Sequence, residues 1–279
     1  MSGILYVVAT PIGNLEDMTP RARQTLVDVD LIAAEDTRRT GRLLSHLGVK
    51  KRQIALHDHN ESRVVTKLIA ALESGQSVAL VSDAGTPLVS DPGYRLVRAA
   101  HQSGITVAPI PGVSAVTAAL SVAGLPTDRF CFEGFLPAKN GARQARLAAL
   151  AYEARTLVFF ESVHRIGDAL ADMSAAFGAE RPAFIGRELT KIYEQCEQAP
   201  LAELQSQVQD ESIAGKGEFV IVVAGADSDA ASAIDVDLML NELARHLPPK
   251  KAAEVTSRLT GEKKNALYQR LLENRGERE

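Results

Sequence analysis

Three short stretches set carboxylates beside cations: Glu35-Asp36-Thr37-Arg38, Asp58-His59-Asn60-Glu61, and Arg187-Glu188 with Lys191. A carboxylate so placed can take a proton, and a nearby cation can hold charge developing on an oxygen. Each stretch has a plainer use as well. An acidic residue at a helix start complements the helix dipole, and Arg187 with Glu188 serves equally as a structural ion pair. His57 and His59 flank Asp58, but neither their spacing nor a third ligand supports a metal centre.

Two loops carry a different chemistry. Val81-Ser82-Asp83-Ala84-Gly85-Thr86-Pro87-Leu88-Val89-Ser90-Asp91-Pro92-Gly93 leaves an apolar run and enters a helical pattern. Asp-Ala-Gly and Asp-Pro-Gly are each ordinary turns. Back to back they fill about eleven residues where roughly two to six are usual, which points to a ligand loop. Small residues there let a ligand approach the backbone. Pro109-Ile110-Pro111-Gly112-Val113-Ser114-Ala115 makes a second passage from strand to helix. Its helix N-terminus suits an anionic or polar acceptor, although Ser114 is also a plain cap.

The elements that must position these residues alternate. Apolar runs at Ile4–Ala9, Asp30–Ala34, Gln53–His57, Ser77–Ser82 and Ile105–Ile110 are separated by amphipathic segments. This pattern predicts a parallel sheet with helices on both faces. Gly124-Leu125-Pro126-Thr127-Asp128 breaks it. Four further strands are expected at Phe130–Glu133, Thr156–Phe160, Arg181–Gly186 and Glu218–Ala224, with helices at Ala142–Glu153 and Val163–Phe177. Ala226–Ala233 reads as a linker, followed by helices near Val236–His246, Pro249–Arg258 and Glu262–Asn274. The expected division is therefore an α/β domain over 1–125, a second over 126–226, and a three-helix tail over 234–279 with the look of a helix-turn-helix.

Composition narrows the class. The chain has 279 residues, and its net charge is −4. Contact with nucleic acid must therefore come from local patches. Candidates are Arg38-Arg39 with Arg42, Lys50-Lys51-Arg52, Lys250-Lys251 and Lys263-Lys264. The two cysteines, Cys131 and Cys196, form no zinc or disulfide pattern and read as buried or half-buried thiols. With no apolar run of membrane-spanning length and no basic leader, a cytoplasmic protein is expected.

Taken together, the blocks resemble the tetrapyrrole methylase-like (class III) methyltransferases, and among them the ribosomal RNA small subunit methyltransferase I family. The matching pieces are Val7–Leu15, Glu35–Arg38, His59–Glu61, Ser82–Gly93, Pro111–Ala115, Phe160–Ser162 with His164-Arg165, Arg187–Lys191 and Gly217–Phe219. The superfamily's glycine-rich first loop and its Gly-Asp-Pro are replaced here by Ala9-Thr10-Pro11-Ile12-Gly13-Asn14 and Gly85-Thr86-Pro87, as in the rRNA branch.

The resemblance implies two α/β domains of the tetrapyrrole methylase type with S-adenosyl-L-methionine in the cleft between them, usually in a homodimer. It also implies methylation of a ribose 2′-hydroxyl of a decoding-centre cytidine in 16S rRNA of the small subunit. Cofactor contacts carried over are Pro11, Asp83, Ala84, Gly85, Thr86, Val89, Ser114 and Ala115, with Phe160 and Leu189 from the second domain. Lys191 is expected to ease the charge of the forming alkoxide, with Glu188 or Asp36 as base. Arg38, Arg39, Asn60, Arg165 and Arg187 are the expected RNA contacts, phosphates above all, and no metal is expected. Two alternatives stay open: a class III methylase of a small tetrapyrrole or corrinoid-like molecule, and a non-catalytic ribosome-binding module.

Overall fold

The computed structural model describes residues 2–57, 59–227 and 236–276. Asp58, residues 228–233 of the expected linker and residues 234–235 of the expected tail lie outside them. Two compact units are present, one made of residues 1–151 and 155–224, the other of 152–154 and 225–279.

The larger unit holds two five-stranded sheets. The first contains β1 (Ile4–Val8), β2 (Leu31–Ala34), β3 (Arg52–Ala55), β4 (Val78–Val81) and β5 (Thr106–Ile110), in the order β3-β2-β4-β1-β5. Every pairing in it is parallel. Strand alternation sorts its side chains onto two covered faces. Leu5, Ala33 and Leu80 pack with α3 (Glu61–Glu73) and α4 (Tyr94–Gln102). Val8, Ile32, Ala79 and Val81 pack with α1 (Pro20–Asp28) and α2 (Thr37–His46). Burial on both faces explains why β2 and β4 read as unbroken apolar runs.

The second sheet corrects the sequence reading, which expected four strands. It has β6 (Phe130–Phe135), β7 (Thr156–Ser162), β8 (Pro182–Arg187), β9 (Gln195–Pro200) and β10 (Glu218–Val223), ordered β6-β7-β10-β8-β9. The unexpected strand, β9, is an edge strand reading Gln-Cys-Glu-Gln-Ala-Pro. One side of its ladder is unpaired, so it needs no apolar run to stay in the sheet. Its Cys196 is exposed rather than buried, while Cys131 is partly buried. β7 pairs with β6 in parallel and with β10 antiparallel; β10–β8 and β8–β9 are also antiparallel.

One face of this sheet is covered by α6 (Asn140–Leu150), α7 (Ile166–Phe177) and α8 (Leu201–Gln209). The other packs against α5 (Ala115–Val122), whose Val116, Ala119 and Leu120 meet Val158, Phe184 and Val222. Thus α5, which follows the first sheet, contributes to the second sheet's core and holds the two halves together.

The smaller unit contains α9 (Val236–His246), α10 (Pro249–Thr260) and α11 (Lys264–Gly276). They close on Leu240, Ala252, Ala253, Leu267 and Leu271. Pro249 opens α10 at a position that needs no N–H, and Gly261, at φ +77°, ends it in the left-handed region. Lys251 and Lys264 both pair with Glu254, at 3.2 and 3.1 Å. Among the described residues no helix is long and apolar enough to cross a membrane.

Candidate active site

Every strand of the first sheet runs the same way, so the segments that follow β1, β2, β4 and β5 emerge on one edge. Ligands in such sheets bind beyond that edge. There Thr10 and Gly85 form an isolated antiparallel bridge. Gly85 has φ +82°, and a Cβ on it would fall 3.3 Å from Ile12 Cγ2. A side chain at this point would strain the turn and crowd the crevice.

A cleft of about 430 Å³ opens beside this bridge, a size suited to a small organic ligand. From the first half come Ile12, Asp83 to Thr86, Val89, Ser114 and Ala115; from the second come Phe135, Phe160, Glu161 and Glu218. Phe160 makes edge contacts with Phe132 and Phe135, at centroid distances of 4.9 and 5.6 Å. Among the described residues, the charged groups in the wall are Glu35, Asp83, Asp91, Glu161, Glu218 and one cation, Arg39.

The expected cofactor residues Asp83, Ala84, Gly85, Thr86, Val89, Ser114, Ala115 and Phe160 all line this cleft. Pro11 lies instead in an adjoining cavity of about 350 Å³, bordered also by Arg39, Arg42, His46, Lys191 and Glu218. Leu189 is buried behind the wall against α5 and β10, and does not border the cleft.

The expected catalytic residues fall into two places. Lys191 Nζ donates to Glu188 Oε1 at 2.8 Å and to Glu218 Oε2 at 2.9 Å. Burial opposes charge on this amine, but the two carboxylates outweigh it and raise its pKa. For Glu188, burial pushes upward; the Lys191 hydrogen bond and the Glu218 N–H overcome it and hold the carboxyl below its usual range. Glu188 and Thr190 are non-glycine residues at φ +49° and +67°. Such backbone persists only where its surroundings enforce it, and it clusters at functional sites.

Asp36 caps α2, accepting from Arg38 N–H at 2.8 Å, and the Arg38 guanidinium grips the same carboxylate at 2.7 Å. That side chain, helped by the backbone N–H, drives its pKa far below the usual carboxylate range. Its own N–H donates to Asp83 Oδ1 at 3.0 Å, and Asp83 N–H donates to Glu35 Oε2 at 3.2 Å. Asp36 therefore braces the cleft loop from the side.

The expected RNA contacts divide as well. Arg38 is almost fully exposed, and Arg39, 3.4 Å from Asp83, borders both cavities. Arg165 is mostly covered, bonded to Glu161 at 2.7 Å and to the Leu136 carbonyl at 3.0 Å. Arg187 is buried and donates to the carbonyls of Lys216 and Tyr193, at 2.6 and 3.0 Å. Asn60 holds its own turn, accepting from His57 N–H and donating to the Ala55 carbonyl, both at 3.0 Å. Among the described residues no group of three or more His, Cys, Asp or Glu is placed to hold a metal ion.

Sequence reasoning passed over Asp91, Phe135 and Glu218. Asp91 was absorbed into an Asp-Pro-Gly turn, and Glu218 into a strand start. Phe135 reaches the cleft after a bulge between Phe132 and Gly134, a feature with no clear mark in the chain.

Known proteins resemble this chain in sequence and in fold. A family model described as Tetrapyrrole (Corrin/Porphyrin) Methylases matches residues 4–205, and one described as RsmI C-terminal HTH domain matches residues 230–275. The Ribosomal RNA small subunit methyltransferase I of Xylella fastidiosa (strain Temecula1 / ATCC 700964) is 53% identical over 267 residues, covering 95% of this chain and 98% of its own. The protein of the same name from Escherichia coli O157:H7 is 51% identical over 275 residues, covering 98% and 96%. Among solved structures, uroporphyrin-III-C-methyltransferase from Thermus thermophilus shares the fold, with a TM-score of 0.57 at 21% identity over 80% of this chain and 94% of that one. A structure of that enzyme complexed with S-adenyl homocysteine gives 0.55 at 18% identity, over 80% and 97%. Near-full-length identity above one half places the chain in the ribosomal RNA small subunit methyltransferase I family, on the tetrapyrrole methylase fold.

Proposed function

We propose that this protein transfers a methyl group from S-adenosylmethionine to the ribose 2′-hydroxyl of a decoding-centre cytidine in 16S rRNA, working in the cytoplasm as a homodimer. The observation that carries the reading is the composition of the cleft wall. Phe160, Phe135, Ile12 and Val89 give it aromatic and aliphatic surface for a nucleoside, and its carboxylates outnumber its single cation. A sulfonium ligand is cationic at the reacting centre, so it fits such a wall better than a phosphate-bearing cofactor does. When bound, the cofactor supplies an electrophilic methyl.

The chain's own residues do the rest. The Thr10–Gly85 bridge and the Asp83–Thr86 turn fix one side of the cleft, and the end of β7 fixes the other. Alignment of this kind supplies much of the acceleration of an in-line displacement. Lys191, held between Glu188 and Glu218, lines the adjoining cavity with Arg39 and Arg42. We assign it to the charge on the acceptor oxygen, and the arginines to neighbouring phosphates, which set register without reading sequence. The buried Arg187 and the turn residue Asn60 have structural partners that account for them without RNA. We keep the division at residues 125 and 226 as part of the proposal, with the separate sheets of 4–110 and 130–223 as its support.

Incubation of the protein with labelled S-adenosylmethionine and small subunits lacking the modification, followed by nucleoside analysis, tests the reading. Label in 2′-O-methylcytidine is the expected result. Label that enters only an added tetrapyrrole, or a base methyl group, overturns it.

A further inference from the structure

Among the carboxylates of the cleft, Asp91 stands apart in its partners. Asp83 lies 3.4 Å from Arg39, Glu161 is 2.7 Å from Arg165, and Glu218 is 2.9 Å from Lys191. Glu35 accepts the Asp83 N–H. Asp91 pairs with no cation among the described residues; its hydrogen-bond partner is the Ser82 hydroxyl, and Glu35 and Asp83 face it as like charges. The two residues expected to act as base are committed elsewhere, Asp36 to Arg38 and Glu188 to Lys191.

The loop that carries Asp91 is held firmly. Leu88 and Ser90 sit at φ +73° and +68°, two non-glycine residues in the left-handed region. Just beyond, Glu61 Oε1 accepts the N–H groups of Gly93 and Arg95, at 3.2 and 3.1 Å, so the buried Glu61 of α3 fixes the start of α4. Strained backbone anchored at its end is a setting in which a reacting side chain is kept in place.

We infer that Asp91 is the proton acceptor for the hydroxyl that is methylated in the cleft, a role that rests on the methyl-transfer reading above. The acceptor O–H bond breaks and its proton passes to an Asp91 carboxylate oxygen. The freed oxygen pair forms the new O–CH3 bond. The C–S bond breaks, and its electron pair stays on sulfur. One positive and one negative charge disappear together, a change that a poorly solvated cleft favours. Burial, with Glu35 next, raises the Asp91 pKa to about 7. A base is most useful when it titrates near the working pH. Glu35 and Asp83 raise the Asp91 pKa by repulsion and the Ser82 hydrogen bond opposes them, while Glu161, Glu218 and Arg39 line the same cleft.

The test uses the full-length protein and unmodified small subunits, with single-turnover rates measured against pH at saturating S-adenosylmethionine. Wild type and D91E should show a rate that climbs as the carboxylate ionises. D91N should lose that rising limb and fall by roughly 10²–10⁴-fold, with affinity for S-adenosylhomocysteine preserved. A second readout needs neither RNA nor turnover. Carbon-13 NMR of the side-chain carboxyls in the free protein should show one aspartate titrating near neutrality, and D91N should lack it. A D91N rate within threefold of wild type, or an unchanged pH limb, overturns the assignment. So does a D91N protein whose only defect is weaker S-adenosylhomocysteine binding. Failure of wild type to methylate the subunit would instead overturn the methyl-transfer reading itself.

Discussion

Thr10 and Gly85 exchange two backbone hydrogen bonds, Thr10 N–H to the Gly85 carbonyl at 2.9 Å and Gly85 N–H to the Thr10 carbonyl at 3.0 Å. The segments after β1 and β4 are thereby joined into one wall, and the left-handed backbone of Gly85 is what lets the joint close. Gly85→Ala should destabilise the fold by about 1–2 kcal/mol, because an L side chain at positive φ is strained and the new Cβ meets Ile12. Thermal unfolding should report that loss, and calorimetry should find S-adenosylhomocysteine bound at least tenfold more weakly.

Gly13 allows a second close approach. A Cβ there would fall 2.3 Å from Lys191 Cγ, so the Lys191 stem lies directly over the turn after β1. Lys191→Met should lower the methylation rate by about 10²-fold, the usual cost of removing one stabiliser of a developing oxyanion. Gly13→Ala should reproduce part of that loss by displacing the amine from Glu188 and Glu218. In both variants cofactor affinity should stay within a few-fold of wild type. Parallel rate and binding measurements separate these outcomes.

The carboxyls of Asp36 and Glu188 are depressed in the folded protein. Unfolded chains therefore bind more protons than folded ones below about pH 4, and stability rises with pH through that range. The stabilisation is complete above the ordinary carboxylate pKa and is lost as pH falls through the lower folded values. Melting midpoints recorded from pH 6 down to pH 2 should fall less steeply for Asp36→Asn than for wild type.

Asp91 has the opposite sign. Its raised pKa means that the folded state keeps a proton the unfolded chain releases, so stability is full below about pH 4 and is lost as pH rises to about 7. Asp91→Asn should thus raise the melting midpoint at pH 8 by more than at pH 5. Equal shifts at the two pH values would show that the aspartate does not titrate in this window.

Much of this arrangement was legible in the chain. The apolar runs of β2 and β4 announced a sheet covered on both faces, and the tail helices were expected close to where α9, α10 and α11 lie. The cleft loop stood out because two turn sequences in succession made it too long for a simple connection. What the chain did not reveal depends on distant partners. β9 is polar because it sits at an edge, and α8 lies outside the stretches that periodicity had marked. Arg187 was expected to pair with Glu188 or to touch RNA, and its bonds to the carbonyls of Lys216 and Tyr193 have no mark in the spacing. The separate character of Asp91 comes from having like charges around it, and spacing cannot supply that.

The most direct measurement is a crystal structure of the protein with S-adenosylhomocysteine. Density for the ligand is expected between the Asp83–Thr86 turn and Phe160, with its sulfur open toward Asp91 and the cavity that Lys191 borders. A cleft left empty at saturating ligand, or a ligand seated outside it, would contradict the assignment of this crevice to the methyl donor.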